Sequence, residues 1–177
     1  KALNSVQKMT PEMSDDLSNT IFDIVSHPFF AKVLTSAQLK SSVDQSIAIE
    51  ILMLSEASDK YDFGSFIRTD KEKFIQYYND KVDVTKVELI KQALDKMDEV
   101  FSEDVKIPKT SLSFICYCYY RVIKDKKSIS KLTDTVKTFL DEYDSNEEYK
   151  SFIQQGTSSS ESVKARFDYW RKIIKEL

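Results

Sequence analysis

Apolar side chains recur along most of this chain with the three- and four-residue steps of a helix face, and one stretch breaks the alternation by being apolar on every side. Val87, Ile90, Leu94, Met97 and Phe101 mark the cleanest stripe and predict a helix from Asp83 or Val84 to about Phe101. By contrast, TSLSFICYCYYRVI at 110–123 leaves no polar face. Thr110 sits where an N-cap belongs, and a helix of this length spans roughly 20 Å. It predicts a buried central helix with the other amphipathic segments as its walls.

Those walls follow in order. Thr10, Pro11 and Glu12 predict a helix start, with Met13, Leu17, Ile21, Ile24 and Val25 on one face up to Pro28. Residues 1–9 read as a lead-in whose Leu3 and Val6 dock, and Phe29, Phe30, Val33 and Leu34 form a short apolar wedge. A capping box of Ser42 and Gln45 predicts a helix over 43–57, followed by a turn region at 58–66 with Gly64 at positive φ. Asp70 is expected to cap a short helix through Phe74, Ile75 and Tyr78. Further capping boxes at Ser145/Glu148 and Ser158/Glu161 predict two more helices after the one marked by Ile129, Leu132, Val136, Phe139, Leu140 and Tyr143.

Composition strengthens this picture. Two Gly and three Pro in 177 residues argue against a sheet protein rich in tight turns and against glycine-built phosphate loops. The expected architecture is all-α: a compact irregular bundle of seven or eight helices, one domain over 1–177, with 102–109 as the place where a subdivision would fall. The start at Lys1 predicts a fragment of a longer protein.

Charge and candidate chemistry change the picture less. The net charge is −3, yet residues 106–177 carry 14 basic and 10 acidic groups. Arg121, Lys124, Lys126 and Lys127 cluster after the central run, and Lys164, Arg166, Arg171 and Lys172 lie in the last helix. These are the candidate contacts for a nucleic acid or another anion. TSSS at 157–160 is a second candidate for backbone anion contacts. Phe29 and Phe30 are the candidate partner surface. His27 is the lone histidine and reads as a helix-junction cap. Cys116 and Cys118 stand two apart and cannot face each other on a helix, so they read as core thiols in a reducing, cytoplasmic setting. Asp15, Asp16, Asp23, Asp134 and Asp141 read as solvated helix faces. No metal spacing, cofactor motif, catalytic residue or membrane span is predicted.

Two pieces carry a family resemblance. Phe29, Phe30, Val33 and Leu34, the 43–54 helix, Tyr61, Phe63 and the 67–74 segment form one, and GTSSSESVKARFDYW at 156–170 forms the other. They resemble the helical region that follows the catalytic domain in GmrSD-type restriction nucleases and their relatives with a ParB/sulfiredoxin-like N-terminal domain. The D-G-Q-Q-R type signature of the catalytic part is absent from this sequence. The resemblance implies a non-catalytic helical domain of a bacterial DNA-acting defence protein, contacting a sister nuclease domain, another protein or DNA. The alternative is a self-contained helical protein-interaction module with no nucleic-acid role.

Overall fold

The computed structural model describes residues 5–58, 60–154 and 156–177. Leu3, expected to dock, lies outside them. Eleven α-helices occur among the described residues: α1 (Ser5–Met9), α2 (Asp15–Val25), α3 (Pro28–Val33), α4 (Ser36–Lys40), α5 (Val43–Glu56), α6 (Arg68–Tyr78), α7 (Val84–Val100), α8 (Lys109–Lys124), α9 (Ile129–Asp141), α10 (Glu147–Ile153) and α11 (Ser160–Glu176). Eight of them have seven residues or more. The described residues contain no strand, so the fold is all-α.

Helix α8 is the hub. Every residue from Ser111 to Tyr120 is buried, as is Val122, and α7, α5, α11 and α9 pack around it. A helix that is apolar all round can be stable in water only when surrounded in this way. One continuous apolar cluster runs from Val6 to Ile174.

The link between α7 and α8 turns at Ser102, whose carbonyl accepts the Val105 N–H at 3.2 Å. Phe101, at the end of α7, meets Tyr119 edge-on at 6.2 Å, and residues 92–99 lie beside Ile123. Ile107, in the link, docks into the core.

Several helix starts differ from those the local sequence predicts, each for a tertiary reason. Thr10–Glu12 form only a 3₁₀ turn, and α2 begins at Asp15 with Ser14 as its cap, accepting from the Leu17 N–H. Asn79, at the end of α6, selects Ser14: its Oδ1 accepts the Ser14 N–H at 2.9 Å and its carbonyl accepts the Ser14 hydroxyl at 3.0 Å. Ser42 is left-handed (φ 58°) and makes no side-chain cap. The complete capping box is instead at Thr35 and Gln38, opening the short α4. Asn146 and Ser159, each one residue beyond the predicted serine, cap α10 and α11.

Asp70 reverses its expected role. It sits inside the first turn of α6, and its carboxylate reaches back to accept the Ser65 N–H (2.8 Å) and hydroxyl (2.5 Å). The Ser65 hydroxyl bond, with help from Lys73, holds its pKa below the ordinary value. Gly64 precedes this contact at φ +79°, and a Cβ there would lie 2.6 Å from Asp70 Oδ2. Gly64→Ala is expected to cost about 2 kcal/mol or more, combining the left-handed penalty with loss of the Asp70 latch. Gly156→Ala, at φ +114° but in open space, should carry the backbone penalty alone. Urea denaturation of the two variants checks the difference.

Candidate functional site

The end of α8 explains how its basic residues are placed. The Lys127 N–H reaches the Val122 carbonyl (2.9 Å) and the Lys126 N–H reaches that of Ile123 (3.2 Å), a Schellman turn. Lys126 occupies its left-handed position at φ 53°, where glycine is the favoured residue. The turn throws Lys127 across to α11, where its ammonium donates to the Ile174 carbonyl at 2.6 Å. A cation there also complements the negative end of the α11 dipole.

This tie joins two basic segments that are 47 residues apart in sequence. Arg121 is half-buried, donates to the Tyr117 hydroxyl (3.3 Å) and pairs with Asp125 (3.1 Å). The Tyr117 phenol also feels the Arg171 guanidinium. Burial pushes its pKa up to about 12, and both arginines pull it back. Arg171 lies 5.7 Å from the Phe167 ring. Lys124, over the Tyr120 ring at 5.8 Å, and Lys126 are exposed beside them. On the other flank, beyond Ile123, the acidic last turns of α7 are already occupied: Asp98 pairs with Lys32 and Glu99 with Lys96.

Two candidates fall outside this cluster. Lys164 lies nearly two turns before Arg171, about 10 Å along α11. Lys172 faces the opposite side, in a groove it shares with Glu148, Asp168 and Glu176 over Phe152, Tyr169 and Ile173.

Arg166 is not a surface residue. It is 1% exposed, and its guanidinium donates to three backbone carbonyls: Ser162 (3.2 Å), Thr110 (2.5 Å) and Thr157. It also covers the Phe114 ring at 4.7 Å. Burial lowers its pKa, with Tyr149 and then Glu50 acting the other way. Phe29 and Phe30 are likewise corrected from a partner surface to core, at 0% and 2% exposure. Pro28 starts α3 directly after α2, with His27 as its cap, and this tight junction turns both rings inward.

A buried ion pair that no local spacing predicts joins α5 and α6. Lys71, from α6, donates to Glu50 (2.6 Å) and to the Ser46 hydroxyl (2.7 Å), both on α5. The side chains are 6% and 15% exposed for Lys71 and Glu50. Each partner carried a legible signal: Lys71 lies on the stripe of Phe74, Ile75 and Tyr78, and Glu50 interrupts the run IAIEILML. A charge on an apolar face implies a partner, but spacing does not say which.

The histidine, the two thiols and the candidate aspartates occupy ordinary positions. His27 Nδ1 accepts the Phe29 N–H (3.2 Å), and its Nε2 meets Asp95 at 2.9 Å. Burial pushes the Cys116 thiol up to about 12 and Cys118 higher than usual. Asp15, Asp16, Asp134 and Asp141 are exposed, and Asp23 pairs with Lys91 at 3.0 Å. Among the described residues no group of three or more His, Cys, Asp or Glu converges as a metal site. No described helix is long and apolar enough to cross a membrane.

Fold and surface together define an all-helical domain with an aromatic core and a basic end where α8 and α11 meet. No protein family, curated protein or solved structure matches the chain.

Proposed function

We propose that this chain is a non-catalytic helical contact domain of a DNA-acting protein, of the defence type its sequence resembles, and that the basic end of α8 and α11 lies against nucleic-acid phosphates. The observation that carries this reading is the Lys127–Ile174 tie, which sets Arg121, Lys124 and Lys126 beside Arg171 and the last turn of α11. Clustered cations release counterions from a phosphate backbone, and this supplies affinity without base contacts. Lys126 adds support. A lysine held where glycine is favoured costs stability of about 1 kcal/mol, an expense consistent with a use for its charge.

The test is duplex binding by fluorescence anisotropy between 50 and 200 mM salt. Affinity is expected to fall steeply as salt rises, and Lys124→Glu/Lys126→Glu should weaken binding at least tenfold and flatten the salt slope. Lys126→Gly should separate the two roles by raising stability about 1 kcal/mol while lowering affinity. Absence of binding at 50 mM salt would overturn the reading and leave the protein-interaction alternative.

A further inference from the structure

A cavity of about 80 Å³ opens between α5, the start of α8 and the loop that leads into α11. Its wall includes Arg166, Lys109, Ser158, Glu50 and Ser46. Water occupies about 30 Å³ per molecule, so the space holds two or three waters or one small ion, and no nucleotide.

The charges around it do not cancel. Arg166 is almost completely buried, yet its hydrogen-bond partners, three backbone carbonyls and the Tyr149 hydroxyl, are neutral, and no described carboxylate pairs with it. A guanidinium carries five N–H groups, so these four partners leave one for a further acceptor. Glu50 is the one acid on the wall, and Lys71 already neutralises it at 2.6 Å. Lys109 adds a second unshared cation at the rim. A buried charge without a counter-charge carries a desolvation cost of several kcal/mol unless something compensates it.

The backbone adds to the same field. Lys109 and Thr110 form the first turn of α8, which has no side-chain cap. Thr157 and Ser158 immediately precede the capped start of α11. Two helix N-termini thus bring their positive ends to one small space. Ser158 is held there through its carbonyl, which accepts the Phe66 N–H at 3.0 Å.

We infer that this cavity is a binding site for a free tetrahedral oxyanion, phosphate or sulfate, with Arg166 as the buried counter-charge and Lys109 at the mouth. The ion would bridge α8 and the α11 loop, which Arg166 already ties together. The site is separate from the basic end and does not depend on the nucleic-acid reading.

Thermal unfolding and Trp170 fluorescence, titrated with inorganic phosphate or sulfate against sodium chloride of equal ionic strength, test it. At ten times Kd, phosphate should raise the unfolding midpoint by about 3–5 °C over the chloride control. Lys109→Ala, an exposed change, should fold normally and lower phosphate affinity about tenfold, the loss of one charge-assisted contact. Lys124→Glu/Lys126→Glu should leave phosphate binding unchanged. A phosphate effect no larger than chloride's would overturn the inference and leave the cavity to water. Loss of the effect in the Lys124/Lys126 variant with retention in Lys109→Ala would overturn it equally, by moving the ion to the basic end.

Discussion

Lys71→Met is expected to destabilise the protein by about 3–5 kcal/mol, the cost of leaving Glu50 charged and unpaired between α5 and α6. The methionine keeps the bulk of the stem against Phe66, whose ring lies 5.6 Å from the Lys71 ammonium, so the loss isolates the charge. For a chain of this size the unfolding midpoint should drop by about 10 °C. Lys71→Met/Glu50→Leu should recover most of that loss, because two apolar side chains of similar volume commonly match a buried ion pair. Urea denaturation of the wild type, both single variants and the double variant closes the cycle. A cost below 1 kcal/mol for Lys71→Met would show that Glu50 is hydrated through the neighbouring cavity.

Trp170→Ala carries a comparable penalty for a different reason. The indole is 0% exposed and meets Phe139 edge-on at 4.7 Å, with Tyr169 at 5.5 Å and Tyr149 at 6.2 Å. Its N–H donates to the Tyr149 hydroxyl at 3.4 Å, which also accepts the Ser111 hydroxyl at 3.0 Å. Truncation removes the largest side chain from the junction of α8, α9, α10 and α11 and is expected to cost about 3–5 kcal/mol. Trp170→Phe keeps an aromatic ring there and should cost roughly half as much, from lost volume and the lost N–H bond. Circular dichroism must follow the transition, since Trp170 is the only tryptophan in the chain. Equal losses for Ala and Phe would place the whole effect in the hydrogen bond.

Legibility in the sequence tracked how local the cause was. The stripe from Val87 to Phe101 becomes α7 almost to the residue, because one face of a helix is written at a fixed spacing. Caps were less legible. Ser42 and Gln45 have the letters of a capping box, but Ser42 is left-handed and Thr35 and Gln38 make the box instead. Ser14 caps α2 in place of Thr10 because Asn79, 65 residues away, binds it.

The site residues divide along the same line. Clustering of Arg121, Lys124, Lys126 and Lys127 was visible, since they are neighbours in sequence. Their meeting with α11 was not, because it depends on a Schellman turn made by a lysine and on a bond spanning 47 residues. Arg166 shows the opposite failure. Its sequence position, among Val163, Phe167 and Trp170, is compatible with either a buried or an exposed guanidinium. Only the approach of Thr110 and Thr157 supplies the carbonyls that let it be buried.

The amino-acid sequence by itself determined the all-helical class, the central place of 110–123 and the core face of the long helices. Periodicity and low glycine content act through the chain's own geometry, so no distant residue is needed to read them. Tertiary structure alone decided that Phe29 and Phe30 are core, that Lys71 pairs with Glu50, and that the basic turn reaches the last helix. Each of these rests on which buried polar or apolar group comes to face another across the fold. Desolvation makes that choice energetically decisive, and no local spacing encodes it.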